Sequence, residues 1–272
     1  MEIQEILESL KADKISIYEA KKLLAIYSIE EVENFAKIDT NRRKRKGIPE
    51  VIFAETKKID EIKKITEKTL EKTNAVVVSR IRKNDYKEIL EFAKKLKIKT
   101  KTGKNSSSLL LFRKPIRASG GKVGIITAGT SDIGVAEEAR LMCEAMNCKC
   151  ITEYDVGVAG IQRSFPVLKE MVREDVDCII VAAGMEGALA TLVSTVVDIP
   201  VIGIPISVGY GYGEKGIAAL ASMLQSCSLG LSVVNIDNGI AAGGIAANIA
   251  NRRTKKEKQQ KLQNKKQNTS RK

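Results

Sequence analysis

The chain has 272 residues, enough for two domains, with a formal net charge of +13 and no histidine. No apolar run approaches the roughly 18 residues of a membrane span, and the N-terminus lacks the apolar segment of a signal peptide, so we expect a cytoplasmic protein. Residues 252–272 hold ten Lys or Arg and one Glu, a net +9 that leaves +4 for the rest. Because no aromatic residue accompanies this charge, we interpret the segment as a basic, disordered tail and not as a nucleic-acid site.

The first 114 residues predict a small α/β domain. Helical spacing predicts helices at 2–12 and 17–37, followed by a basic loop at 39–47 that contains Arg42 and Arg43. Short apolar runs then alternate with amphipathic segments, which predicts strands at 51–54, 75–79 and 108–112 and helices at 59–71 and 85–96. Proline and paired glycines interrupt both periodicities at residues 115–121, which are therefore predicted to be a linker.

From residue 122 the chain repeats an apolar strand, a Gly-rich or acidic loop and a helix five times. The predicted strands are 123–127, 149–154, 178–182, 201–205 and 231–235, and the predicted helices are 133–147, 161–173, 187–197, 214–225 and 239–251. Such alternation predicts a parallel sheet. We expect a flavodoxin-like domain over 122–251, with strand order 2-1-3-4-5 and a ligand site at the carboxyl ends of the strands.

Three loops at that edge carry groups suited to a phosphorylated ligand. The first supplies Gly129, Thr130, Ser131 and Asp132 just before a helix, where backbone amides and hydroxyls bind phosphate; helix capping is the alternative. The second supplies Gly184 and Met185. The third, 205–213, is rich in glycine and tyrosine and is interpreted as a ligand-contacting lid that includes Ser207, Gly209 and Tyr210. Arg42 and Arg43 are further candidates, because guanidinium groups pair with phosphate.

Two carboxylates follow neighbouring strands at the same edge. Asp155 ends the second strand and Glu186 stands at the start of the helix after the third. In a chain without histidine, carboxylates are the natural proton carriers if their surroundings raise a pKa toward neutrality. A first-turn Glu186 that merely interacts with the helix dipole is the alternative.

The five cysteines are predicted to be free thiols. Four of them lie in or beside helix and strand patterns, where buried cysteine is common: Cys143, Cys148, Cys150 and Cys178. Cys227 differs because it lies in a polar loop before the last strand, and the sequence leaves a surface thiol and a nucleophile both open. Such a loop belongs to the amino edge of its own sheet, so a catalytic Cys227 requires a homo-oligomer with shared active sites.

Six ordered motifs resemble the LarB family, the carboxylase/hydrolases of nickel-pincer nucleotide cofactor biosynthesis. They are Gly129-Thr-Ser-Asp132, Tyr154-Asp-Val-Gly-Val-Ala-Gly160, Ala183-Gly-Met-Glu-Gly-Ala188, Ser207-Val-Gly-Tyr-Gly211, Ser226-Cys227 and Val233-Val-Asn-Ile-Asp-Asn-Gly239. The N-terminal half is similar as well, through residues 36–39, 42–43, Gly47 and 49–55. The C-terminal domain of that family resembles the aminoimidazole ribonucleotide carboxylases of the PurE type.

The resemblance implies that nicotinic acid adenine dinucleotide and CO₂ or bicarbonate are the substrates. The pyridinium ring is carboxylated at C5 and the phosphoanhydride is hydrolysed, giving pyridinium-3,5-biscarboxylic acid mononucleotide and AMP. The family's cysteine, matching Cys227, adds to the ring at C6 and makes C5 nucleophilic. Glu186, with Asp155 as the alternative, is expected to remove the C5 proton. The resemblance also implies Mg²⁺ and no organic cofactor. Whether the protein or only the substrate diphosphate binds the ion is left open.

The chain departs from the pattern at Gln162, in a stretch where PurE-type enzymes carry a histidine. A glutamine cannot titrate, so a proton-transfer role at this position is excluded. Two other functions stay open. One is a PurE-type carboxylase or mutase acting on a purine precursor, against which the lack of histidine argues. The other is a nucleotide- or RNA-binding regulatory protein, based on the basic segments 41–46 and 252–272.

Overall fold

The computed structural model describes residues 3–24, 30–32, 36–38 and 42–269. The chain divides into two compact units, Met1–Lys101 with Leu110–Pro115, and Thr102–Leu109 with Ile116–Lys272. The chain passes between the units three times, and the third passage, between Pro115 and Ile116, lies at the beginning of the predicted linker. Residues 102–109, which the sequence assigned to the N-terminal domain, belong to the second unit.

The first unit contains five helices and six strands among its described residues. The helices are α1 (Ile3–Lys11), α2 (Ile17–Leu24), α3 (Arg42–Lys46), α4 (Ile59–Lys72) and α5 (Lys83–Lys95). The strands are β1 (Glu30–Val32), β2 (Ala36–Ile38), β3 (Glu50–Phe53), β4 (Ala75–Ser79), β5 (Lys99–Thr102) and β6 (Leu109–Phe112). Strands β3, β4, β6 and β5 form a mixed sheet in that order. The two middle strands are buried along their whole length, as their continuous apolar runs predict.

Three predictions for this unit were wrong. The helix expected over 17–37 is wrong in its second half: α2 spans Ile17–Leu24, and β1 and β2 form an antiparallel pair with Glu31 opposite Lys37 in register. Part of the basic loop is the short helix α3, since Lys and Arg are good helix formers. Strand β5 was missed because its sequence, Lys-Thr-Lys-Thr, has no apolar alternation, which is usual for an exposed edge strand.

The second unit is a five-stranded parallel sheet with helices between its strands. The strands are β7 (Lys122–Thr127), β8 (Lys149–Glu153), β9 (Cys178–Ala183), β10 (Val201–Pro205) and β11 (Leu231–Val233). The helices are α6 (Ile133–Ala145), α7 (Ser164–Arg173), α8 (Ala188–Val196), α9 (Ile217–Leu224) and α10 (Gly239–Thr269), with 3₁₀ turns at Thr130–Asp132, Val158–Arg163 and Glu214–Gly216. The spatial order β8-β7-β9-β10-β11 confirms the flavodoxin-like order 2-1-3-4-5.

Helix α10 packs tightly on α6 and also contacts strands β7, β9 and β10. A Cβ atom at Gly239 would lie 2.5 Å from the carbonyl oxygen of Val135, and one at Gly243 would lie 2.5 Å from that of Ala139. The Gly- and Ala-rich start of α10 therefore allows two helix backbones to approach closely. The backbone N–H of Ile240 donates to the Glu138 carboxylate, which satisfies an otherwise free amide in the first turn.

The same helix does not end at residue 251 as predicted, but continues to Thr269 through the segment interpreted as disordered. No proline or glycine follows Gly244, and Lys, Gln and Arg favour helix. The Arg253 guanidinium pairs with Asp175 at 2.7 Å and with Asp177 at 3.2 Å, so the helix stays attached beyond the predicted boundary. Within the described residues, no helix is long and apolar enough to span a membrane.

Candidate active site

A cavity of 350 Å³ lies within the second unit, at the carboxyl ends of its strands. Its walls come from the loops that follow four strands, β7 to β10, as expected for a ligand site in an open parallel sheet. The lining residues are Ala128, Gly129, Ser131, Asp132, Gly157, Val158, Ala159, Ala183, Gly184, Met185, Glu186, Ala188, Leu189, Val208, Gly209 and Tyr210. The three loops singled out in the sequence thus meet at one cavity.

Most of the predicted substrate-binding residues of these loops line the cavity, and two do not. Thr130 is exposed beside it. The backbone N–H of Ser207 donates to the Asp237 carboxylate at 2.9 Å, which fixes the beginning of the third loop. The sequence reasoning did not single out Asp237, although it lies in one of the six motifs.

Asp132 is only 3% exposed and connects two of the loops. Its Oδ2 accepts the Gly129 N–H at 2.8 Å, its Oδ1 accepts the Ser131 hydroxyl at 3.4 Å, and Gly184 contributes a further backbone hydrogen bond. Burial raises the pKa of this carboxyl and the charge of Asp237 adds to the rise, while the three hydrogen bonds oppose it. Asp132 therefore caps its own turn, the alternative considered for this loop, while also lining the cavity.

Glu186 faces the cavity from a turn with unusual backbone geometry. Met185 before it and Gly187 after it have positive φ angles of 53° and 67°, and α8 begins at Ala188. Glu186 itself is exposed, so its carboxylate is accessible to a molecule in the cavity.

Asp155 does not share the cavity with Glu186. One oxygen of its carboxylate pairs with the Arg163 guanidinium at 2.9 Å, and both side chains are about half exposed. Its backbone has a φ of 59°, and its N–H donates to the Thr127 hydroxyl at 3.0 Å. The two carboxylates therefore do not meet at the cavity as expected. Glu186 is one of its lining residues and Asp155 is not.

Arg163 is a candidate that the sequence reasoning missed. It ends the 3₁₀ turn whose first residues, Val158 and Ala159, form part of the cavity wall. Since none of the described residues lining the cavity is Lys or Arg, Arg163 brings positive charge to the neighbourhood of a site expected to take an anion. Its neighbour Gln162, the point of departure from the family pattern, is exposed on the same turn.

Cys227 is exposed and lies at the opposite edge of the sheet from the cavity. Its loop is fixed to α8 by two hydroxyl pairs, Thr191 with Ser226 at 3.0 Å and Ser194 with Ser228 at 2.7 Å. The loop ends at Gly230, whose carbonyl accepts the N–H of Val201, the first residue of β10. The topology had predicted this placement at the amino edge.

The other four cysteines differ from Cys227 in their surroundings. Cys143, Cys148 and Cys178 are buried, and Cys150 is partly so. Burial raises the pKa of Cys148 and of Cys178 to about 12, so neither thiol ionises near neutral pH. Among the cysteines, Cys227 is therefore the one that is open to a ligand or a second chain.

Arg42 and Arg43 open helix α3 of the first unit and are not among the residues lining the cavity. Arg42 lies 3.9 Å from the Glu50 carboxylate, and burial lowers the pKa of Arg43. Their contact with substrate stays a prediction.

Comparison with known proteins identifies the class of this fold and site. Residues 122–272 match the model of the AIR carboxylase family, and residues 29–104 match that of the LarB/PurE-like N-terminal domain. An uncharacterized protein of Methanocaldococcus jannaschii is 46% identical over 252 residues, which cover 91% of this chain and 96% of that protein. An N5-carboxyaminoimidazole ribonucleotide mutase of Thermotoga maritima is 27% identical over 133 residues, 47% of this chain and 74% of the mutase.

The first of these matches covers more than half of the chain, which is therefore an AIR carboxylase-type protein. With both domain matches in order, the chain belongs to the LarB family. Its class is thus that of the carboxylase and mutase enzymes.

Proposed function

We propose that this protein carboxylates the pyridinium ring of nicotinic acid adenine dinucleotide at C5 and hydrolyses its phosphoanhydride, yielding pyridinium-3,5-biscarboxylic acid mononucleotide and AMP for nickel-pincer cofactor biosynthesis. The observation that carries the proposal is a carboxylate, Glu186, open to an AIR carboxylase-type cavity in a chain without histidine. The match of residues 29–104 to the LarB/PurE-like N-terminal domain supports the pyridinium substrate over an imidazole ribonucleotide.

Glu186 takes the role of base in this proposal. The thiolate of Cys227 forms a bond to ring C6, and the displaced electron pair moves into the ring, which makes C5 electron-rich. C5 then bonds to CO₂, Glu186 accepts the C5 proton, and the C6–S bond breaks to return the thiolate and restore aromaticity. Asp155 is the weaker candidate for the base because Arg163 holds its carboxylate outside the cavity.

The phosphates of the substrate are assigned to the turn after β7 and to Arg163. The Gly129 N–H is already engaged by Asp132, so binding at this turn relies on the exposed hydroxyl of Thr130 and on that of Ser131 when it leaves Asp132. Arg163 adds a guanidinium that can pair with phosphate when it leaves Asp155. Gly209 lines the cavity from the third loop, whose beginning is fixed by the hydrogen bond from Ser207 to Asp237.

Mg²⁺ fits this arrangement when it arrives with the substrate. The described residues contain no group of three or more side chains that could hold a metal ion. Mg²⁺ commonly takes one or two carboxylates together with substrate phosphates and water. Asp132 is occupied by backbone hydrogen bonds and Glu186 acts as the base, so the substrate diphosphate and water would hold the ion. The ion would supply charge neutralisation at the diphosphate.

A second copy of the chain completes the site in this proposal. Cys227 lies at the edge of its own sheet away from the cavity, so the thiolate must come from a neighbouring chain. The surroundings of Cys227 suit such a contact, because Val196, Leu224 and Leu229 are all exposed apolar residues. Exposed apolar clusters are typical of protein interfaces.

The proposal is tested by incubating the purified protein with Mg²⁺, labelled bicarbonate and, in separate reactions, nicotinic acid adenine dinucleotide or aminoimidazole ribonucleotide. Label in a pyridine product together with AMP is the expected result. Label in the imidazole product alone would instead assign the carboxylase chemistry of the purine enzymes. No label in either product would contradict the proposed carboxylation.

A further inference from the structure

The third loop of the cavity has fixed ends and a free tip. At its start, the N–H of Ile206 donates to the Ala183 carbonyl at 3.0 Å and that of Ser207 to Asp237. At its end, a Cβ atom at Gly216 would come within 2.9 Å of the Ile236 side chain, so this glycine is tightly enclosed. By contrast, Gly211 has a φ of 80°, and a Cβ there would meet no described atom within 4 Å. The tip at Gly211 therefore lies in open space, while both ends of the loop are enclosed.

Two tyrosines stand on this tip, and only one of them borders the cavity. Tyr210 lines the cavity and is nevertheless 81% exposed, so its ring is largely in solvent beside the cavity. Tyr212 is fully exposed and does not line the cavity. A large aromatic ring left in solvent at a cavity mouth is available to stack on a flat ligand.

We infer that Tyr210 binds the AMP half of the substrate by stacking on its adenine ring. The inference rests on the proposed function and adds the position of the second nucleotide. A cavity of 350 Å³ is near the lower end of the range for ligand pockets, about 300 Å³, so it suits one nucleotide better than two. The nicotinate half must occupy it to reach Glu186, which leaves the adenylate half at the mouth beside Tyr210.

The chemistry of the ring points the same way. In the proposed reaction the pyridinium ring receives sulfur at C6 and CO₂ at C5, so its faces must remain open to both reactants. A tyrosine stacked on that ring would cover one face. The adenine undergoes no reaction, and a purine offers a broad surface for an aromatic side chain.

The test uses AMP itself and measures its binding to the full-length protein by calorimetry. Tyr210→Ala should weaken AMP binding by roughly 5- to 100-fold, the effect of losing one base–aromatic stack. Tyr210→Phe keeps the ring and should bind AMP within about twofold of the wild type on the same reasoning. Tyr212→Ala is the matched control, because it removes a tyrosine of the same loop that does not border the cavity, and it should leave AMP binding unchanged.

Equal AMP affinity of the wild type and Tyr210→Ala would overturn the inference. An equal loss in Tyr210→Phe and Tyr210→Ala would also overturn it, because the hydroxyl and not the ring would then make the contact. If Tyr210→Ala lost affinity for nicotinic acid mononucleotide and kept its affinity for AMP, Tyr210 would contact the nicotinate half of the substrate, which would also overturn the inference. In all three cases the wild type would still form the pyridine product, whereas failure of the proposed function would abolish that product itself.

Discussion

Cys227 is the residue on which the proposed chemistry depends, and its exposure makes it easy to test. Cys227→Ser should abolish carboxylation while leaving the fold and dinucleotide affinity nearly unchanged. An alcohol is a far poorer nucleophile than sulfur near neutral pH, where even an ordinary thiol with a pKa of about 8.5 is partly ionised. Mass spectrometry after trapping with substrate should show an adduct on the peptide that contains Cys227.

The matched control is Cys150→Ser, since Cys150 is partly buried in strand β8 and remote from the last loop. It should carboxylate normally and should still form the adduct. Full activity of a folded Cys227→Ser variant would remove the thiolate from the mechanism, and a trapped adduct on Cys150 would place the nucleophile elsewhere.

Asp132 gives a pH-dependent signature of the cavity. Its pKa is raised in the folded state above an ordinary value of about 3.9, so the folded protein holds this proton more tightly than the unfolded chain. The resulting stability is fully present below the ordinary pKa and is lost as the pH rises through the folded-state pKa. Asp132→Asn cannot titrate, so the stability of the wild type relative to this variant should fall as the pH increases from about 4 toward neutrality.

Urea unfolding of the two proteins across this pH range measures the difference. Lost hydrogen bonds to Gly129 and Gly184 add an offset that does not depend on pH, so the slope is the diagnostic quantity. The difference in unfolding free energy between the wild type and Asp132→Asn should therefore change with pH. If it stays constant, or if it grows in favour of the wild type at higher pH, the placement of a buried carboxylate at this position is contradicted.

Helix α10 is longer than the sequence predicted, because it continues through the segment that was interpreted as a disordered tail. Deletion of 256–272 should leave both turnover and stability nearly unchanged, because the ion pairs described for this helix are made by Arg253, which this deletion retains. Deletion of 252–272 also removes Arg253 and its pairs with Asp175 and Asp177. A partly exposed ion pair contributes up to about 1 kcal/mol, so the longer deletion should lower the melting temperature by about 2–4 °C with turnover retained.

Thermal unfolding and steady-state turnover of the two truncated proteins provide the comparison. A loss of turnover above about tenfold in either truncation, equivalent to about 1.4 kcal/mol in the barrier, would show that the basic segment reaches the anionic substrate. Identical melting temperatures of the two truncations would show that Arg253 contributes no stability.

The sequence predicted the parallel sheet well because its strands are continuous apolar runs, such as Cys178–Ala183, that occur only where both faces are buried. It failed at β5, whose polar residues form an edge strand, and at α10, where composition alone suggested disorder. The sequence correctly predicted that Gly129, Gly184 and Tyr210 lie at one cavity, because ligands bind at the carboxyl edge of such a sheet. It could not show that Asp155 is paired with Arg163, because that contact depends on the backbone of a particular turn.

In the proposed mechanism, the separation of Cys227 from Glu186 requires an assembly of chains with shared active sites. Cys227→Ser and Glu186→Gln should each be inactive alone. Co-expressed, they should recover up to about one quarter of wild-type turnover in randomly mixed dimers, because half of the dimers are hybrids and each hybrid has one intact site. Turnover of co-purified hybrid protein is the measurement. No recovery in a verified hybrid would place both groups in one chain.

The fate of labelled bicarbonate in the presence of nicotinic acid adenine dinucleotide and wild-type protein tests the proposed carboxylation directly. The proposed function predicts one label in the pyridine product for each AMP released, and no incorporation by Glu186→Gln, which lacks the base. AMP released without labelled pyridine would reveal hydrolysis alone. Undiminished labelling by Glu186→Gln would contradict the assignment of the cavity carboxylate to the carboxylation step.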